Sequence, residues 1–245
     1  MARLKMLQSV VILSNFRCGT HLLHEIFVAN GYVKHDEILR TYSSIIPQDE
    51  RDYFENHIMS YFKHDKFKYY SALKLSENMG YPSKHIKMLE SKLARVWKPG
   101  SVAIVHKSQF NKVYGSLSSQ ETKDKLSDLF PKSIFILLER DPYEAAVSYF
   151  IARHEQRWSS TANKIGETPE FNEEELTLIL NMYLDEWNWD NIQDLDAVHI
   201  AYNNLCDNPE MALVDFNIGI RTQKRLQKMD SEIKKEYVLK LKKLA

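Results

Sequence analysis

The chain has 245 residues, of which 44% are hydrophobic and 27% charged, with only 7 Gly and 7 Pro. That length suits one large α/β domain or a domain with a substantial insertion, and the apolar content suffices for a sizeable core. Lys plus Arg and Asp plus Glu number 33 each, and a net charge of zero argues against general nucleic-acid or anionic-membrane binding. Two cysteines, Cys18 and Cys206, are too few and too scattered for a disulfide framework or a zinc site. No cleavage-site pattern follows the short apolar run near the N-terminus, and no stretch approaches the roughly 18 apolar residues of a membrane span. A reducing cytoplasm is therefore the expected location.

In chain order, residues 10–13 form a short β-branched run of the kind buried in a parallel sheet. A turn carrying Arg17, Cys18, Gly19 and Thr20 follows. Leu22, Leu23, Ile26 and Phe27 then recur at helical spacing, with Gly31 placed as a C-terminal stop. The turn lies at a helix N-terminus, where unpaired N–H groups and the positive dipole end attract an anion. Arg17 adds a charge, Gly19 permits close approach, and Thr20 offers a hydroxyl. The loop lacks the lysine of nucleotide triphosphatases, because Thr20 and His21 follow Gly19. An ordinary turn holding a chance Arg and Gly is the competing reading.

Residues 32–71 are mixed, with a helix expected over 49–62. A further helix is expected over 83–96, stopped by Pro99 and Gly100. Residues 101–106 read as a second buried strand that runs into Lys107. Residues 121–130 read as a helix and 133–138 as a third strand. Asp141 is an expected N-cap with Pro142 at the first helical position. Residues 159–171 read as loop, 173–189 as an acidic amphipathic helix, 197–202 as the fourth strand, and Pro209 as a helix start. The C-terminal stretch 221–243 carries nine basic residues against three acidic ones. It is either a solvated helix face or a segment that closes over an anion. Strands alternating with helices imply an α/β architecture with a mostly parallel sheet covered on both faces.

The strand over 133–138 sets Arg140 at its carboxyl end, with Ser148 two helical turns after Pro142. Ligands of open α/β sheets bind at such strand ends, on the same rim as the Arg17 loop. A salt bridge from Arg140 to Glu139, Asp141 or Glu144 is the alternative. Strand, Arg-x-Gly-Thr, helix, then strand and Arg-Asp-Pro-x-x-x-Ala-x-Ser together resemble the two cofactor motifs of sulfotransferases. These enzymes use 3′-phosphoadenosine-5′-phosphosulfate (PAPS). Ala146-Val147-Ser148 followed by Arg157-Trp158, and Tyr202-x-x-Leu205 followed by Asn208-Pro209, resemble the bacterial trehalose 2-sulfotransferase-like family.

That resemblance implies a P-loop-like three-layer sandwich forming one domain over residues 1–245. Residues 32–100 would be a helical acceptor-side insertion and 221–245 a basic C-terminal helical segment. It assigns Arg17, Cys18, Gly19, Thr20 and His21 to the 5′-phosphosulfate loop, and Arg140 and Ser148 to the 3′-phosphate. Lys224 and Arg225 are the nearest equivalents of a basic segment that closes over the cofactor. Cys18 stands where the loop usually has Ser, and His21 where it has a hydroxyl residue. Each lost side-chain hydrogen bond weakens binding by about 1 kcal/mol, while backbone donors survive both changes.

The family places a Glu shortly after the first helix. Here Glu37 is the expected general base, worth typically 10²–10⁴-fold, with Asp36 as runner-up. Lys107 would hold the acceptor or neutralise the leaving group, Gln109 would position the acceptor, and Trp158 and Tyr202 would pack around the site. The implied activity is transfer of a sulfuryl group from PAPS, leaving PAP, to a hydroxyl of a sugar or glycolipid. No metal, nucleic acid or transmembrane segment is implied, and the relatives suggest a homodimer. The alternatives are a catalytically inactive nucleotide-binding or interaction module and a divergent P-loop kinase.

Overall fold

The computed structural model describes residues 7–43, 83–156, 167–186, 188–189, 192, 195–216 and 232–244. The helix expected over 49–62 and the segment 221–231 lie outside them. Five strands form one sheet: β1 (Val10–Ser14), β2 (Val33–Glu37), β3 (Ser101–His106), β4 (Ile134–Glu139) and β5 (Ala197–Ala201). Their order is β2-β3-β1-β4-β5 and every pairing is parallel. Among the helices, α1 (Thr20–Ala29), α2 (Ile38–Ser43), α3 (Ser83–Val96), α4 (Lys107–Tyr114) and α5 (Ser119–Leu129) precede β4. After β4 come α6 (Pro142–His154), α7 (Glu173–Asn181), α8 (Tyr202–Asp207), α9 (Pro209–Ala212) and α10 (Glu232–Leu244).

The central strands are buried on both faces, which is why they read as unbroken apolar runs. Val11 and Leu13 pack with Ala103, Val105, Phe135 and Leu137 against α3, α4 and α5. Val10 and Ile12 turn the other way, to Leu23, Ile26 and Phe27 of α1 and Leu205 of α8. A third cluster joins α6, α7 and α10 through Phe150, Ile179, Leu180, Tyr237 and Leu241. The result is an α/β three-layer sandwich, as expected. Because β1 connects through α1 towards β2 while β4 connects towards β5, the chain departs to opposite sides at the β1–β4 junction. The carboxyl ends of those two strands therefore open a crevice.

Local capping signals bound the helices. Asp141 caps α6 by accepting from the N–H groups of Tyr143 and Glu144 at 2.9 and 3.2 Å. Ser118 and Glu121 form a capping box that starts α5 ahead of the expected 121. Gly31, at φ 90°, follows the C-cap of α1.

Three expectations are corrected. The opening of the supposed 32–100 helical insertion is the edge strand β2, making five strands rather than four. Its sequence VKHDE has no apolar alternation, and its strand character comes from pairing with β3. The helix expected over 173–189 is α-helical only to Asn181 and continues as a π-helical turn, Met182–Glu186. Tyr202 begins α8 rather than ending β5. The segment that follows His106 is α4.

Candidate functional site: an anion loop between two polar clusters

The loop after β1 is built around two left-handed residues, Arg17 at φ 63° and Gly19 at φ 84°. A Cβ on Gly19 would lie 2.5 Å from Cε2 and 2.6 Å from Cδ2 of Tyr202. Close approach to Gly19 is therefore made by a ring at the start of α8. Gly19→Ala is expected to destabilise the protein by about 1–3 kcal/mol through left-handed strain alone, with displacement of the ring added. Urea midpoints of Gly19→Ala and of the double variant with Tyr202→Ala check this, the double variant recovering the part due to the ring.

The loop's carbonyl oxygens are held by donors from distant parts of the chain. Trp189 Nε1 donates to Ser14 O at 3.0 Å, Tyr183 Oη to Phe16 O at 2.9 Å, and Arg140 Nη1 to Arg17 O at 2.8 Å. The first-turn N–H groups of α1 at Thr20 and His21 have no acceptor within the helix. Gly19 offers no side-chain cap and no acid sits in that first turn. This is the arrangement that favours an anion at a helix N-terminus. Cys18 is buried, its Sγ 3.6 Å from Phe16 O, and burial pushes its thiol up to about 11. Its side chain packs in the core.

On the β4 side, Arg140 and Ser148 meet the loop. Arg17 Nε donates to Ser148 Oγ at 3.4 Å. The Arg140 guanidinium lies 4.3 Å from the Tyr202 ring centroid, and its Nε and Nη2 are both 3.3 Å from Glu144 Oε2. The Glu144 salt bridge and the loop anchor thus coexist. Beside them lies a cavity of about 230 Å³ lined in part by Asn15, Glu139, Arg140, Tyr183, Asn188 and Trp189. Asn15, one of the lining residues, has its Oδ1 buried without a hydrogen-bond partner.

On the β2–β3 side, Glu37 ends β2 under four donors. Gln109 Nε2 lies 2.7 Å and Arg40 Nη1 3.1 Å from its Oε2, and His21 Nε2 and His106 Nε2 each lie 3.7 Å from its Oε1. Burial raises its proton affinity. The His106 and His21 imidazoles beside it and the Gln109 hydrogen bond outweigh that, holding the carboxyl well below the usual carboxylate range. Asp36 is separate from this cluster: it faces Lys34 Nζ at 3.3 Å and His24 Nδ1 at 3.6 Å.

Lys107, the first residue of α4, is buried with its ammonium 4.7 Å from the Trp189 ring centroid. Burial lowers its pKa from 10.5 to about 8. Between those two values the unfolded chain binds the proton that the folded protein has lost, so stability rises with pH. Relative to Lys107→Met, the wild type should gain on the order of 1–3 kcal/mol from pH 7 to pH 11, as read from denaturation midpoints of the two proteins.

The structure thus brings Arg17, Gly19, Thr20, His21, Arg140 and Ser148 to one rim, with Glu37, Lys107 and Gln109 beside them. Arg157, Trp158, Lys224 and Arg225 lie outside the described residues. The basic C-terminal segment reaches the rim through Lys242, whose Nζ lies 2.7 Å from Asp141 Oδ2. Sequence reasoning passed over His106, Tyr183, Trp189 and Lys242. For His106 a signal existed, since a histidine interrupts an apolar run at a strand's carboxyl end. Among the described residues no helix is long and apolar enough to cross a membrane, and no group of three or more His, Cys, Asp or Glu residues is arranged to hold a metal ion.

A search of curated proteins returned no match. The sequence pattern of the Sulfotransferase family matches residues 9–215, from the start of β1 to the turn after α9, and so spans the loop, both polar clusters and the whole sheet. The chain belongs to the sulfotransferase family.

Proposed function

We propose that the protein transfers a sulfuryl group from PAPS to a hydroxyl of a carbohydrate or glycolipid. The observation that carries this reading is the position of the anion loop. To one side of it stand Arg140 and Ser148, and to the other Glu37, Lys107 and Gln109. A donor with two separate anionic ends requires two anchors, and an acceptor hydroxyl requires a polar cluster across the loop from them.

The residues fit such a donor. First-turn N–H groups and Arg17 suit the 5′ end, and Arg140 with Ser148 suits the 3′-phosphate. Arg17 presently bonds Ser148, and Glu144 occupies two nitrogens of Arg140. Phosphate oxygens would take over these contacts. Lys224 and Arg225 are proposed to close over the donor. When bound, the donor supplies an activated sulfuryl group. The chain's part is to place the acceptor hydroxyl in line, to take its proton near Glu37, and to offset charge on the departing phosphate with Arg17 and Lys107. The likeness of residues 146–148 and 202–209 to the trehalose-sulfating family supports a sugar acceptor.

Labelled sulfate from PAPS, offered with a panel of mono- and disaccharides and glycolipids, tests the reading. Transfer to a sugar hydroxyl supports it. Absence of both PAP binding and transfer at millimolar PAPS overturns it.

A further inference from the structure

The cluster around Glu37 has a property that a simple carboxylate base does not need. One carboxylate oxygen accepts from Gln109 and Arg40, and the other faces two imidazoles at 3.7 Å. A carboxylate set among four donor groups is a weak proton acceptor, because those neighbours favour its negative charge. The two histidines differ in kind. His106 is enclosed: its side chain is 3% exposed, Nε2 faces Glu37, Nδ1 lies 3.2 Å from Ser14 Oγ, and its ring packs on Phe16 at 4.6 Å between centroids. Held by Ser14 and Phe16, it is a fixed inner neighbour of Glu37. The side chain of His21 is 65% exposed and stands in the first turn of α1, next to Thr20 in the anion loop. Its Nε2 faces Glu37, which leaves Nδ1 as the nitrogen open to a proton.

Resting on the proposed PAPS-dependent transfer, the geometry points to His21 as the group that takes the acceptor's proton, with Glu37 as the residue that orients it and His106, Gln109 and Arg40 as the frame around Glu37. A neutral imidazole has one donor and one acceptor nitrogen. Glu37 favours the tautomer protonated on Nε2 and stabilises the imidazolium once it forms, the division of labour seen when a carboxylate backs a histidine base. In the step, the acceptor oxygen bonds to sulfur as the bond from sulfur to the departing phosphate oxygen breaks. That electron pair leaves with the phosphate, and the acceptor's proton passes to Nδ1 of His21. The 3.7 Å separation of His21 and Glu37 suits a ligand-free site, where catalytic contacts are commonly long and tighten on binding.

Three measurements on the full-length protein test the assignment. In the ligand-free protein, ¹⁵N shifts of the neutral His21 ring should report the Nε2–H tautomer, and Glu37→Gln should weaken that preference. His21→Ala and His21→Gln should lower kcat by about 10²–10⁴-fold while PAP affinity stays within about twofold, since the His21 backbone N–H is retained. Added imidazole should restore part of the turnover of His21→Ala and none of that of Arg140→Ala. A wild-type protein that transfers sulfate while both His21 variants keep full kcat overturns this assignment alone, as does an Nδ1–H tautomer in the free protein. A wild type that neither binds PAP nor transfers sulfate overturns the donor reading, and the assignment with it.

Discussion

Arg140→Ala is expected to abolish the rise in melting temperature that PAP produces in the wild type, and to weaken PAP binding by about 10²–10⁴-fold. The magnitude follows from losing two charge-assisted hydrogen bonds of about 1.5–3 kcal/mol each, at 1.4 kcal/mol per factor of ten. Isothermal titration of PAP reads it directly. Arg140 also holds the carbonyl of Arg17, so its loss disturbs the loop as well as the charge. Glu144→Ala separates the two effects. It removes the carboxylate that competes for Arg140 and leaves the bond to Arg17 intact, so PAP should bind at least as tightly as to the wild type. PAP binding by Arg140→Ala equal to that of the wild type would remove this arginine from the donor site.

Glu37→Gln is expected to reduce kcat by about 10²–10⁴-fold with little change in PAP affinity, because Glu37 stands across the loop from Arg140 and Ser148. Gln keeps the shape and loses the negative charge that draws Gln109, Arg40 and the two histidines together. Stability should respond with a definite sign. A carboxyl whose folded-state pKa is depressed contributes stability above its unfolded value, 4.5, and that contribution fades as pH falls below it. The wild type should therefore exceed Glu37→Gln in stability at pH 7, and the gap should narrow steadily below pH 4.5. A gap independent of pH, measured by denaturant midpoints between pH 3 and 7, would show that the carboxylate charge is not what organises the cluster.

The site was legible where its signals are local. Arg17, Gly19 and Thr20 sit at a strand-to-helix turn, and Arg140 follows a buried strand and precedes a capped helix. Both settings are written in a few consecutive residues. Glu37 was found only by its place after the first helix, because nothing in VKHDE announces a strand. Its histidine partners could not be read at all: His21 is 16 residues before it and His106 is 69 residues after it. Tyr183 and Trp189 were hidden for a different reason. A continuous helical pattern over 173–189 gave no warning of the π-helical turn over Met182–Glu186. From this part of the chain Tyr183 and Trp189 reach the loop's carbonyls.

What the sequence determined by itself is the α/β class, the buried strands β1, β3 and β4, the caps that start α6 and end α1, and the places of Arg17 and Arg140 just after β1 and β4. Each rests on hydrophobic runs or capping chemistry that act over a few residues. What only the tertiary structure decided is the company those residues keep. Parallel register sets Ser14 beside His106, and pairing along the sheet edge carries Glu37 up to them. The opposite crossovers at β1 and β4 bring Arg140 against the Arg17 loop. Parallel strands meet only through long connections, so the contacts that define this site join residues far apart in the chain, where no local pattern foretells them.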